Sequence, residues 1–406
     1  MSSDTKRVRV LYSFPHKLGG QQICAIAWQH VKNLADAGAE VLVCPGAVQK
    51  ALPPHIEVWP TLARGKLRIP YRLLGRVGAC SLHDWVVARR VEKLAGQIDV
   101  IHTWPLGALR TLKTAVSLGI PTVLERPNAH TRYAYDVTQR ECERLEVPPP
   151  RGYSHTYNAE ILRIEEQEFQ LADRLACPSD FVLRTFLDQG FPPEKLVRHQ
   201  YGYDEKTHFP TCRPRDIKNG LTVLFAGACT PRKGLHYALE AWSRSPASSN
   251  GTFRIAWEYL PGYPEKLSSL LAQPTVQVLG YRKDLPDLMR ESDVLVLPSL
   301  EEGSALVTSE ARGCGCVLLV SEASGAYVKH MENALVHRVG DVETLAQHFT
   351  MLHKDRVLLE RLRAASLSTV HEITWSASGA RLLELYRGLI RARDGGTLHR
   401  SQSSAT

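Results

Sequence analysis

The chain has 406 residues, 44% of them hydrophobic and 23% charged, an ordinary globular composition that excludes disordered and fibrous classes. That length exceeds what one hydrophobic core usually serves and points to two domains. Net charge is +8 and mean hydropathy −0.20, and no charge-free apolar window of membrane length exists, so no membrane span is expected. Residues 1–14 lack an apolar segment ahead of a small-residue cleavage site and read directly as a first strand, so no signal peptide is expected either.

Short apolar runs recur at 7–14, 40–46, 99–104, 122–125 and 174–179, and again at 221–228, 253–259, 275–281, 293–299, 316–321 and 334–339. They are continuous and β-branched and do not alternate, which suits strands buried on both faces of a parallel sheet. Amphipathic stretches such as 21–37, 160–172, 234–242 and 342–352 lie between them. The alternation predicts right-handed βαβ units and an α/β fold with two doubly wound, Rossmann-like domains. The rhythm pauses at 203–220, a polar segment with two prolines and a closing glycine, read as the linker between domains 1–202 and 221–375. Segment 140–154, with three consecutive prolines, reads as an excursion above the first sheet, and 393–406 as a disordered tail. If the crevices at the strand ends of both sheets face each other, one bipartite ligand can be held across the cleft.

Nine cysteines lie scattered through apolar runs without a C-x-x-C pair. Buried thiols of a reducing cytoplasm fit this better than a disulfide framework or a zinc site. Between residues 62 and 93, Arg64, Lys66, Arg68, Arg72, Arg76, Arg89, Arg90 and Lys93 face only Asp84 and Glu92, a local net charge of +6. No nucleic-acid recognition motif accompanies this charge, so nucleic acid is not expected as a partner. The interleaved leucines and Trp85 fit a helix on an anionic membrane surface, while a plain solvated basic face is the simpler alternative.

Four motifs bear chemistry. Gly227 to Gly234 (GACTPRKG) follows a strand and opens a helix, a junction whose free amides and dipole suit phosphate, with Arg232 and Lys233 adding full charges. Its Arg-Lys-Gly-Leu ending is not that of a Walker loop. Next, Glu302 falls in the loop after the strand 293–299 and Glu310 eight positions on, roughly 9 Å along a helix starting near Ser304. Two acceptor-only carboxylates so placed can each take hydroxyls from one polyol ligand, with Glu301 as a solvated neighbour and Gly303 allowing close approach to the backbone. Gly19 and Gly20 occupy the first βα turn, and His130 follows the strand 122–125, where it can hydrogen-bond a reacting group.

Together these motifs resemble the family-four retaining glycosyltransferases (glycosyl transferases group 1), over about residues 7–392. The segments LFAGACTPRKGLHYALEAW and SDVLVLPSLEEGSALVTSEARGCGCVLLVSEASG are similar to that family's phosphate loop and donor block. TVLERPNAH matches its acceptor-side histidine region more loosely, and Trp375 with the final helix 376–392 resembles the segment that crosses back onto the first domain. The resemblance implies the GT-B fold, its two domains facing across a cleft with the acceptor side first and the nucleotide-sugar side second. It further implies that Arg232 and Lys233 neutralise the donor diphosphate, Glu310 binds the ribose, and Glu302 binds the sugar. Gly227, Gly303, Ser304, Ala305 and Leu306 would line the donor, with Gly19 and Gly20 opposite, and His130 would meet the sugar near the reacting carbon. Ala228 departs from the arginine common at its place, and Ser304-Ala305 from the usual aromatic-glycine pair.

The expected function is retaining transfer from a nucleotide-diphosphate sugar to a glycan, lipid-linked or small-molecule hydroxyl, as part of polysaccharide biosynthesis. No resident cofactor and no metal are expected, since no D-x-D motif occurs. The expected location is the cytoplasm, with peripheral contact to the inner membrane face through residues 62–93. A related epimerase or phosphorylase and an inactive sugar-nucleotide-binding protein are the alternatives.

Overall fold

The computed structural model describes residues 7–64, 67–69, 71–150, 152–211 and 220–396. The rest of the segment taken as a linker, 212–219, and of the expected tail, 397–406, lie outside the described residues.

The first sheet contains β1 (Arg9–Leu18), β2 (Glu40–Val48), β3 (Glu57–Val58), β6 (Val100–Thr103), β7 (Thr122–Glu125), β8 (Arg174–Cys177) and β9 (Leu196–Arg198); β4 (Ala63–Arg64) and β5 (Leu67–Arg68) form a separate antiparallel pair. The second contains β10 (Thr222–Ala226), β11 (Thr252–Ala256), β12 (Val276–Gly280), β13 (Val294–Leu297), β14 (Val317–Ser321) and β15 (Ala334–His337). Every pairing within the two sheets is parallel, in the orders β3-β2-β1-β6-β7-β8-β9 and β12-β11-β10-β13-β14-β15. The fold is therefore α/β with two Rossmann-like units, as the alternating pattern predicts.

Burial explains why the runs read as they do. All residues of β6, β7, β13 and β14 are buried, so both faces select apolar side chains. The run at 275–281 is different: β12 is an edge strand, and Val278 is 51% exposed. The helix Trp375–Asp394 packs on Ile23–Asp36, where a Cβ on Gly379 would lie 2.7 Å from Asn33. The excursion expected at 140–154 begins later: the helix Thr131–Arg144 continues through Cys142, with Glu141 and Cys142 facing inward and Arg140 and Glu143 facing out. The eight described cysteines are free thiols, all buried except the half-buried Cys24.

Both sheets reverse their order at the first strand, β1 against β6 and β10 against β13. Gly19 and Gly20 follow β1, the phosphate-loop motif follows β10 and Glu302 follows β13. These motifs therefore meet at switch-point crevices, where an open α/β sheet binds ligands.

Candidate active site

The loops leaving β10 and β13 hold each other: the Leu300 amide donates to the Arg232 carbonyl over 2.8 Å. Pro231–Lys233 form a single 3-10 turn, and Gly234, at φ 70°, starts the helix Leu235–Arg244. A Cβ at Gly234 would meet the Pro298 carbonyl oxygen at 2.2 Å, so only glycine permits this approach.

Arg232 and Lys233 converge on the acidic loop. Lys233 Nζ pairs with Glu302 Oε1, and Arg232 Nη1 lies 3.0 Å from Glu301 Oε2 and 3.3 Å from Glu302 Oε1. Burial alone would raise the Glu302 pKa, but Arg232 and Lys233 outweigh it and hold the carboxyl at about 2. Burial likewise opposes the Arg232 charge, and Glu302 and Glu301 more than offset it, so the guanidinium stays protonated. Two cations and two carboxylates here sum to zero. A diphosphate entering this pocket would compete for the cations and leave Glu302 an acceptor for sugar hydroxyls.

The opposite wall is the loop after β7. Arg126, buried against Phe169 and paired with Glu165 at 3.4 Å, donates to the Ala129 carbonyl over 3.2 Å and so shapes the turn. The turn meets the donor block directly: a Cβ on Gly303 would lie 1.7 Å from the Pro127 carbonyl oxygen. Gln200 Nε2 donates to Ser304 Oγ over 3.1 Å. The two units thus close on one cleft.

Glu301 is not the solvated neighbour expected from its sequence context. It is fully buried and accepts the Ala129 amide over 3.0 Å from one unit while holding Arg232 of the other. An amide and a guanidinium in a dry interface both need an acceptor, and Glu301 supplies it. Segment 145–158, which overlaps the proline-rich excursion, adds groups that were not among the expected site residues. His155 Nδ1 stands 3.9 Å from Glu301 Oε2, held neutral at about 3 by burial and then by Arg232, and Tyr153 bonds to Arg232. Arg76, exposed, acts on both His16 and His155 from the first unit. No local motif marks any of these residues.

His130 caps the helix Thr131–Arg144, its Nδ1 accepting the Arg132 amide at 3.3 Å. Its ring lies among Phe169, Phe186 and Phe191 and is 2% exposed. An accepting Nδ1 puts the proton on Nε2, the nitrogen left to donate to a ligand. Burial, then Arg126 and Arg132, keeps the ring neutral, at about 3. Gly19 and Gly20 close their turn against Lys50 and Gln49, beyond the end of β2. Gly227 adjoins the Lys233 side chain, 3.6 Å from where its Cβ would be. The Ala305 amide donates to the Ser324 carbonyl over 3.3 Å and so is not among those offered to a donor, while Leu306 begins the next helix.

Two family models match the chain: "Glycosyltransferase Family 4" over residues 25–206 and "Glycosyl transferases group 1" over residues 220–355. The chain belongs to the family-four, group 1 glycosyltransferases. It is 24% identical to a D-inositol 3-phosphate glycosyltransferase of Thermobispora bispora, over 91% of this chain and 89% of that one. Over 83 residues (20% of this chain and 21% of the other) it is 34% identical to the UDP-Gal:alpha-D-GlcNAc-diphosphoundecaprenol alpha-1,3-galactosyltransferase of Escherichia coli. The crystal structure of Anabaena HepE in complex with UDP superposes with a TM-score of 0.65 at 18% identity, covering 94% of this chain and all of that one. The fold is accordingly GT-B.

In this glycosyltransferase Glu310 lies on the helix Leu306–Gly313, which starts two residues later than expected and places it about 6 Å along the axis. The side chain is half-buried, and burial raises its pKa from 4.5 to about 7. Ionising it in the free protein therefore costs stability as pH rises from 4.5 to about 7. A ligand whose hydroxyls bond the carboxylate favours the ionised form, so its affinity should rise over the same window. For any ligand held through its hydroxyls by this carboxylate, calorimetric affinity should fall up to roughly tenfold for each pH unit below 7, and Glu310→Gln should flatten that dependence.

Proposed function

We propose that this enzyme transfers a sugar from a nucleotide-diphosphate donor to a hydroxyl acceptor, with retention of configuration and without a catalytic divalent ion. The observation that carries the reading is the convergence of Arg232 and Lys233 on Glu302 at the β10/β13 switch point, facing the Pro127–His130 turn. Departure of the diphosphate builds negative charge that two fixed cations stabilise without reorganisation. Glu302 and Glu310 would hold the sugar and ribose, and Nε2–H of His130 would donate to a sugar hydroxyl. Release of nucleoside diphosphate from a panel of nucleotide sugars, unchanged by added magnesium or manganese, tests this. Strict dependence on a divalent ion, or no turnover with any donor and acceptor, would overturn it.

For the acceptor, the supporting feature is a cavity of about 590 Å³ lined in part by Cys142, Val147, Pro148, Pro149, His155 and Tyr157, which reaches the acidic loop through His155. An apolar cavity of that size next to His155 suits a lipid-linked acceptor, the kind named for the Escherichia coli relative. A small phosphorylated polyol is the second reading, supported by the relative matched over nearly its whole length. No described helix is long and apolar enough to cross a membrane. Arg76, Trp85 and Arg89 are exposed after the non-helical break at Gly75 and Leu74 just before it, which supports a role for this segment in reaching a lipid surface. The chain should then co-sediment with vesicles rich in anionic lipid at low salt and leave them at high salt. Binding unaffected by Arg76→Glu with Arg89→Glu would remove this part of the reading.

A further inference from the structure

Away from the cleft, the first unit buries an unusual polar cluster. Glu125 ends β7, His102 lies in β6, His30 in the helix Ile23–Asp36, and His199 just beyond β9; all four are at most 2% exposed. The three imidazoles converge on a single atom, Glu125 Oε2: His102 Nε2 at 3.3 Å, His199 Nδ1 at 3.8 Å and His30 Nδ1 at 3.9 Å. Glu125 Oε2, His102 Nε2, His199 Nδ1 and His30 Nε2 are buried without a well-aligned hydrogen-bond partner.

Glu125, His102 and His199 are each held from the far side, whereas His30 meets Tyr12 through its inward Nδ1 and leaves Nε2 unpaired. Tyr201 donates to Glu125 Oε1 over 2.7 Å, and the Tyr386 hydroxyl lies 2.8 Å from His102 Nδ1. His199 Nε2 lies 3.3 Å from the Ser378 hydroxyl and 3.4 Å from its carbonyl oxygen. Tyr12, which receives the Trp104 indole N–H over 2.8 Å, is 3.1 Å from His30 Nδ1. Outer groups that orient rings and carboxylate while leaving inward lone pairs unpaired are the pattern of a metal site with its supporting shell. Tetrahedral ligands about 2.0 Å from zinc are roughly 3.3 Å apart, and the ligand atoms of His30, Glu125 and His199 all lie within 4.8 Å of one another, so inward shifts of these three would bring them to one metal. Charge points the same way. A buried carboxylate needs a compensating cation or hydrogen bonds, and no lysine or arginine pairs with Glu125 among the described residues.

We propose that Glu125, His30 and His199 bind one structural zinc ion, with His102 supporting Glu125 and His30 exchanging its Tyr12 contact for the metal. The site joins five separated parts of the chain. Through Tyr386 and Ser378 it fastens the helix Trp375–Asp394 to the first sheet, and through His199 it fixes the strand end whose Gln200 reaches Ser304. No hydrogen bond or ion pair joins these four residues to Arg232, Lys233 or Glu302, so this zinc takes no part in donor chemistry.

The full chain, produced in zinc-supplemented medium and dialysed against metal-free buffer, should retain about one zinc per chain by elemental analysis. Stripping it with a strong chelator should lower Tm, and zinc, but not magnesium, should restore it. Cobalt(II) in its place should give the intense visible bands of a tetrahedral site. Glu125→Gln and His199→Asn should lose the metal. Should these variants fail to fold, the chelation and cobalt experiments on the unaltered chain still decide. Substoichiometric zinc together with a Tm indifferent to chelator and to added zinc would overturn the proposal.

Discussion

Lys233→Ala is expected to lower kcat/KM for sugar transfer by about a hundred- to a thousandfold, the usual effect of removing one fixed donor from a growing leaving-group charge. Most of the loss should fall on kcat, because the charge on the diphosphate increases as the glycosyl bond breaks. The fold should survive: Arg232 stays 3.3 Å from Glu302, so the buried carboxylate keeps a cation, and Tm should fall by only about 2–4 °C. Lys233→Arg keeps the charge but not the compact shape and should recover part of the rate. Steady-state kinetics beside a thermal melt separate these effects. Unchanged turnover in Lys233→Ala would remove the cationic-pocket account of catalysis.

Gly303→Ala should be nearly as damaging for a different reason. The added methyl would lie 1.7 Å from the Pro127 carbonyl oxygen, a backbone atom on the opposite unit that cannot rotate away. The donor block and the Pro127–His130 turn must then separate, and a displacement of about 1 Å at reacting groups can cost a hundredfold in rate. Each sheet keeps its own core, so the variant should fold, and X-ray scattering should show a larger radius of gyration than the parent. Full activity at an unchanged radius would mean that closure of this cleft is not required.

The cations and carboxylates of the donor side were legible because they are local. GACTPRKG and LEEGSAL each sit in one βα loop, and the apolar runs before them declare the strands that carry those loops. The fold class was legible for the same reason, since strands buried on both faces leave continuous apolar runs. What escaped were the contacts between distant segments. Glu301 and Glu302 are chemically identical neighbours, and only the arrival of the Ala129 amide 172 positions away sends Glu301 into the interface. His130 looked like a free histidine at a strand end; three phenylalanines from later in the chain decide how its ring is held.

By itself, then, the amino-acid order determined two parallel α/β units, the loops that carry positive and negative charge, and the family to which they belong. Tertiary structure alone decided which carboxylate meets which cation, that the segment with three prolines brings Tyr153 to Arg232, and that three histidines as far apart as positions 30 and 199 share one buried oxygen. The physical reason is range. Periodicity and helix-terminus chemistry act within a few residues, whereas burial and charge pairing depend on groups that only the folded chain brings within a few ångströms of each other.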